Sequence, residues 1–353
     1  MNMRKSQQGL TIIELMIALL LSLLLIGGVV QVYLGTKSTY RVTEGLSRLQ
    51  ENTRFATDMI ARDIRMAGYI PCSQPQAQVN VVNSTDWWAP LFTNPIIGFE
   101  NGANPFPGDT VNEVIPGSDS ILILRGGSRV AAVNFYDAAN NEFIMQRDLG
   151  SDWVENGSLM IACDSRVARL FQAETIQSGN PTRVSVADGT PNVFPGNTTT
   201  NLNATFSNDS QLASYRAVAY YIANSGNGNS LYRRYLNVNP SMVNAPLKEE
   251  LIEGVDTMQL LYGLDVDGDG MADRYLQADN AAITGNWQNV VTVKVGLLFA
   301  SEDGLRDADG FDEKTYVVEN TNILVEGTPG VPTHGRDRRK RYVSSMTVSI
   351  RNI

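Results

Sequence analysis

The sequence predicts an α+β protein: a long N-terminal helix, apolar in its first half and amphipathic in its second, packed on an antiparallel β-sheet globular domain. Three observations carry this. From Leu10 to Leu34 the only polar interruptions before Gln31 are Thr11, Glu14 and Ser22. A helical pattern then continues as far as Gly68. Beyond Pro71 the chain changes to short β-branched and aromatic runs separated by Asn, Ser, Gly, Thr and Pro.

The helix is read in two parts. Leu46, Leu49, Thr53, Ala56, Ile60, Ile64 and Ala67 recur at steps of three and four, while Arg48, Glu51, Arg54, Asp58, Arg62 and Arg65 supply the polar positions. Gly68 and Pro71 form the stop signal. A helix from Leu10 to about Met66 would be roughly 85 Å long, nearly three times a bilayer core. Gly27 and Gly28 weaken its middle; they mark either a close helix contact or a segment that unwinds when helices pack.

The strands follow in order. SILILRG (120–126), NEFIMQR (141–147) and SLMIACD (158–164) are the runs in a loop-rich region. SYRAVAYYI, ANSGNGN and SLYRRYL read as a hairpin. LIEGVDTMQLLYGL (251–264) and VVTVKVGLLFAS (290–301) read as single strands, with YVVEN (316–320) and RYVSSMTVSIRNI (341–353) after them. In the last, Val343, Ser345, Thr347 and Ser349 alternate with Ser344, Met346, Val348 and Ile350, as in a half-buried strand.

Composition narrows the function. With 353 residues and 43% hydrophobic content the chain can build a real core. A net charge of -9 argues against nucleic acid as a partner, because phosphate binding needs a basic face. Two cysteines and one histidine exclude a zinc cluster of Cys and His. The sequence has no GxSxG elbow, Walker loop, HExxH or CxxC, so no enzyme activity is expected. His334, in GTPGVPTHGRDRR, reads as a surface histidine, and GNGNS (226–230) as a hairpin turn. The run Arg336, Arg338, Arg339, Lys340, Arg341 reads as a solvated flank or as a surface for an acidic partner or lipid headgroups.

The apolar stretch is long enough to span a bilayer and lacks the short core and small-residue cleavage site of a secretory signal. Glu14 inside it costs roughly 2.5 to 3.5 kcal/mol in hydrocarbon and therefore needs a partner. The leader MNMRKSQQG carries Arg4 and Lys5 and ends in Gly9, and Glu14 is the fifth residue from Leu10. A cut after Gly9 would free an amine able to neutralise Glu14 on a neighbouring helix.

This arrangement resembles the type IV prepilin signal. The resemblance implies cleavage after Gly9 by a prepilin peptidase, N-methylation of Leu10, and a leader in the cytoplasm. Leu10 stands where most of the family has Phe, which points away from a major structural pilin. RFATDMIARDIRMAGYIPC, GVDTMQLLYGLDVDGDG and RDRRKRYVSSMTVSIRNI extend the resemblance to the PilW family of minor pilins. That resemblance implies a pilin-like fold: residues 1–9 as leader, 10–67 as a helix transmembrane in its first half, and 72–353 as a β-rich periplasmic or extracellular domain. It also implies a low-abundance subunit that primes pilus assembly at the inner membrane and rides at the filament tip. Its partners would be other minor pilins, the major pilin and a large tip adhesin. A J-type pseudopilin of type II secretion is the alternative of the same class. A ligand-binding adhesin using residues 73–210 is the alternative of a different class.

Two further features follow from the residues. Cys72 and Cys163 are exported with the domain, an oxidising setting in which they are expected to pair rather than stay as two thiols. Closing that loop stabilises by about 4.6 kcal/mol in the chain-entropy model. In LDVDGDGMADRY, Asp265, Asp267, Asp269 and Asp273 crowd together unless a cation sits among them, Gly270 falls at the sharp turn, and Met271 can offer its carbonyl. The spacing D-x-D-x-D-G-x-x-D predicts calcium. Leu276 stands where an EF-hand has its bidentate Glu, and the flanks MQLLYGL and RYLQA read as strands; the other reading is an acidic hairpin turn.

Overall fold

The computed structural model describes residues 11–72, 76–84, 87–106, 113–150, 155–187, 195–236, 247–302, 304–305, 310–326 and 332–352. The chain divides into two units, residues 1–51 and residues 52–353. Helix α1 (Ile12–Arg65) begins in the first and ends in the second.

In the first unit every residue from Thr11 to Arg41 is exposed. The helix runs through Gly27 and Gly28 without a break. Its polar side chains satisfy themselves locally: Thr36, Thr39 and Thr43 each donate a hydroxyl to the carbonyl four residues back, at 2.9, 3.0 and 2.9 Å. A hydroxyl bonded this way can sit on an apolar helix without exposing an unpaired donor.

The second unit contains the strands. The first ten are β1 (Ala77–Asn80), β2 (Ile96–Phe99), β3 (Ser120–Asp137), β4 (Glu142–Met145), β5 (Leu159–Cys163), β6 (Val167–Gln177), β7 (Arg183–Val186), β8 (Gln211–Asn224), β9 (Asn229–Tyr235) and β10 (Leu247–Glu253). They form one sheet with β5 and β8 side by side at its centre. Pairing is antiparallel except where β1 lies parallel to β6. Alternation along β5 shows how both faces are filled. Ile161 and Cys163 join a cluster with Leu122, Ala219 and Tyr221, whereas Met160 and Ala162 join Val133, Phe143 and Phe171 on the other face.

The remaining strands are β11 (Val255–Leu264), β12 (Arg274–Leu276), β13 (Val290–Ala300), β14 (Tyr316–Val318), β15 (Thr321–Val325), β16 (Thr333–His334) and β17 (Arg341–Ser349). A second sheet has the order β12-β11-β13-β17, and a third, small one the order β14-β15-β16. The run 251–264, expected as one strand, is two. Gly254, at φ 78, breaks it, so that β10 completes the first sheet and β11 enters the second. The run 120–126 also extends further than expected. It continues through Gly126 and Gly127 to Asp137, with a register shift against β8 between Gly126 and Val130 that absorbs the glycines.

The last turns of α1 belong to the second unit, and the predicted stripe is the buried one: Ala56, Ile60, Ile64 and Ala67 have no exposed surface. Gly68 ends the helix at φ 71, and its N–H donates to the Leu124 carbonyl of β3 at 2.9 Å. The C-terminal segment covers the same end: Arg351 N–H donates to the Arg65 carbonyl at 3.3 Å.

Candidate functional site

Three clusters of polar residues stand out. The first is at the start of α1. Gly9 and Leu10 lie outside the described residues. Glu14, in the first turn, accepts hydrogen bonds from the backbone N–H of Thr11 at 3.1 Å and from its hydroxyl at 2.9 Å. The residues around it present Leu, Ile and Val side chains about half to four-fifths exposed, Ile12 being 80% exposed and Val30 48%. This apolar helix is long enough to cross a membrane.

The second cluster is the loop joining β11 to β12, whose base is the pair Leu264 and Arg274. Gly268 and Gly270, both at φ 82, fold it back on itself. Asp265 accepts from Gly268 N–H at 2.7 Å and from Gly270 N–H at 2.8 Å. Those two bonds hold its carboxyl below the usual carboxylate range. Asp267 accepts from Asp269 N–H at 3.2 Å, and Asp269 from Met271 N–H at 2.7 Å. Carboxylate oxygens of Asp265, Asp267 and Asp269 come within 4.8 Å of one another. Asp273 lies outside that trio and accepts from Val266 N–H at 2.7 Å, tying the base of the loop. Met271 is 71% exposed.

The third cluster corrects two expectations. Arg341, the last residue of the basic run, is not a solvated flank, for its side chain has no exposed surface. Its Nε donates to Asp256 at 2.6 Å, Nη1 to Asp312 at 3.1 Å and to Asp337 at 2.8 Å, and Nη2 to Asp337 at 2.8 Å. Burial opposes its charge, but the hydrogen bonds it donates to Asp337 and the charge of Asp256 more than offset this, and its pKa is raised. Arg336 does stay outside, paired with Glu313. His334 is buried at 2% exposure and is not a surface histidine; its Nε2 is 2.7 Å from the Lys314 carbonyl and its ring packs edge-on against Tyr316. As part of β16 it is drawn into the third sheet, which places it among groups far away in sequence.

Comparison with known proteins fits this geometry at both ends. Residues 4–30 match the family described as the prokaryotic N-terminal methylation motif. Residues 219–352 match the family described as Type IV Pilus-assembly protein W. The chain is thus similar to N-terminal methylation motifs at its start and to PilW proteins over its C-terminal part. The matched residues 219–352 take in both the acidic loop and the Arg341 cluster. A type IV-like pilin from Thermus thermophilus is similar at 10% identity, over 86% of this chain and 96% of that chain, with a TM-score of 0.31. No curated protein matches.

Two further features lie in the second unit. Cys72 and Cys163 are joined by a disulfide, tying the segment after α1 to the end of β5. At the junction of the two large sheets, Asp119 accepts from Asn101 N–H at 3.1 Å and from Leu260 N–H at 2.8 Å, beside Glu100, which accepts from Ala278 N–H at 2.6 Å. Burial, and then the charge of Glu100, push the Asp119 carboxyl up to about 8, so the two share a proton at neutral pH. The ring of Tyr262 is fully buried at the same junction, fitted against Gly98.

Sequence reading missed Glu100, Asp119 and Asp63. Only Asp63 left a signal: it falls three residues after Ile60, on the apolar stripe of α1, where a carboxylate is out of place.

Proposed function

We propose that the chain is a minor pilin that primes assembly of a type IV pilus at the inner membrane and then occupies the pilus tip. Its partners are other minor pilins, the major pilin and a large tip adhesin, and its role is structural. A prepilin peptidase cuts after Gly9, Leu10 is methylated, and the globular unit lies on the periplasmic side.

The observation that carries this reading is Glu14 in the apolar, fully exposed first part of α1. Within the chain its only recorded partner among the described residues is Thr11. Thr11 supplies hydrogen bonds but no positive charge, so it does not neutralise a carboxylate placed in hydrocarbon. The freed amine of a neighbouring pilin supplies the missing cation and sets the axial register. Mass spectrometry of the mature N-terminus tests the first step: a chain still carrying residues 1–9 sinks the reading. Glu14→Gln keeps an acceptor for Thr11 and removes the charge. It should be cut and inserted normally yet enter pili poorly, and normal incorporation removes the registry role.

The acidic loop belongs to this proposal as a calcium site. The donors that converge there are all carboxylate oxygens, the hard ligands that calcium takes, without nitrogen or sulfur. Asp265, Asp267 and Asp269 would hold the ion, with the Met271 carbonyl, Asp273 and water completing the shell. Bound calcium would fix the β11–β12 hairpin.

A further inference from the structure

A cavity of about 550 Å³ lies between the last turns of α1 and strands β3, β8 and β9. It is independent of the acidic loop, the Arg341 cluster and the prepilin signal. Its wall is unusual in charge: Arg62, Arg125, Arg216 and Arg233 face only Asp58 and Asp63. Asp58 has turned to Arg54, at 3.7 Å. Asp63 is satisfied, accepting from Arg125 Nη2 at 2.8 Å and from the Tyr220 hydroxyl at 2.7 Å. Arg233 donates to Glu249 at 2.6 Å.

That leaves two guanidinium groups without an ion pair among the described residues. Arg62 on α1 and Arg216 on β8 are exposed at the cavity and, among the described residues, neither has an ion-pair or hydrogen-bond partner for its side chain. The inner pair is under-used as well, since the Nε atoms of Arg125 and Arg233 are buried without a partner. Phe55, Met59, Val218 and Tyr235 make up the apolar part of the wall. Phe55 is 49% exposed although it flanks the buried stripe of α1.

We propose that this cavity binds a carboxylate carried on an apolar body. A guanidinium fork matches the two oxygens of a carboxylate, and two free forks at one mouth suit a single anionic head better than a polyanion. The aromatic and thioether side chains receive the body next to the head. Concave sites of several hundred Å³ in which a few polar groups converge beside apolar side chains are typical of specific ligand binding; this one is more highly charged than most. Such a ligand has two possible sources: an acidic residue beside an apolar one on another protein chain, or a free organic acid.

The test uses the full chain in detergent and three probes measured by calorimetry: 4-phenylbutyrate, its neutral counterpart 4-phenylbutanol, and the capped tripeptide Leu-Glu-Leu. The acid probes should bind and the alcohol should not. Arg62→Ala and Arg216→Ala, both exposed substitutions, should each weaken the acids by about tenfold or more, the range of a charged hydrogen bond. Tighter binding of the peptide identifies a protein segment as the source, and tighter binding of phenylbutyrate a free acid. Equal binding of acid and alcohol, no binding of either acid, or unchanged affinity in both variants would overturn the proposal. Thermal unfolding of each variant within a degree of the wild type shows that the lost affinity is not lost fold.

Discussion

Arg341→Ala should be among the most destabilising single changes in the globular unit. The substitution leaves the carboxylates of Asp256, Asp312 and Asp337 facing an apolar methyl, with Asp312 fully buried. Removing one partner of a buried ion pair costs about 3 to 5 kcal/mol. The second unit has about 300 residues. Its unfolding entropy is then about 0.6 kcal/mol/K, so the midpoint should fall by about 5 to 8 °C. Arg336→Ala is the internal reference, because its pair with Glu313 has side chains 56% and 62% exposed. An exposed pair is worth less than about 1 kcal/mol, or under about 2 °C. The deficit should also depend on pH. Burial raises the Asp337 carboxyl, but the Arg341 hydrogen bonds outweigh this and hold it below its ordinary value. A depressed carboxyl stabilises above its unfolded pKa near 4, and that stabilisation disappears as pH falls through the lower folded value. Arg341→Ala should therefore lag the wild type most at neutral pH, and the deficit should shrink as pH falls below about 4. Thermal unfolding across that range is the assay. If Arg341→Ala and Arg336→Ala unfold within 2 °C of each other at pH 7, the cluster does not hold the fold together.

Other outcomes test the remaining sites. Asp119, pushed up to about 8, keeps a proton when folded that the unfolded chain releases near pH 4, so wild-type stability should fall as pH rises between those values. Glu100→Gln can still accept from Ala278 N–H and can donate to Asp119, which should flatten the decline; an unchanged slope between pH 5 and 8 refutes the shared proton. Gly98→Ala would drive a methyl into the buried Tyr262 hydroxyl, costing about 1 to 3 kcal/mol by overpacking, and a melting temperature equal to wild type would contradict that fit. Calcium at 10 mM, against an affinity typical of extracellular sites, should add about 1.4 to 2.7 kcal/mol, or about 2 to 4 °C. Asp269→Ala should lose the response, and no shift in the wild type removes calcium from the proposal.

The parts of the fold that were legible in the sequence are those set by local periodicity. The stripe through Ala56, Ile60 and Ile64 is buried because a helix repeats every 3.6 residues, whatever it packs against. The hairpin of β8 and β9 and the acidic loop were legible because turn residues report their own backbone. The split of 251–264 was harder. All ten residues of β11 are buried, so no alternation marks where one sheet ends and the next begins. Only the lone glycine, Gly254, hints at it. Arg341 and His334 were misread because their surroundings are not local: Asp256 is 85 residues from Arg341, and Lys314 is 20 from His334. A basic run looks solvated until the fold brings carboxylates to it. The basic cavity was hidden for the same reason, since Arg62, Arg125, Arg216 and Arg233 meet only when α1 lies on the sheet.

The bond between Cys72 and Cys163 has a mechanical consequence. It connects the segment just after α1 to a strand at the middle of the ten-stranded sheet. Tension entering along the helix passes covalently to β5 through sulfur, and the residues between the two cysteines, 91 apart in sequence, lie outside that covalent path. Strands β1 to β4 then need not unravel under a pull along the chain. Reduction would release about 320 Å of extra chain length at roughly 3.5 Å per residue, and single-molecule stretching with and without reductant would measure that difference directly.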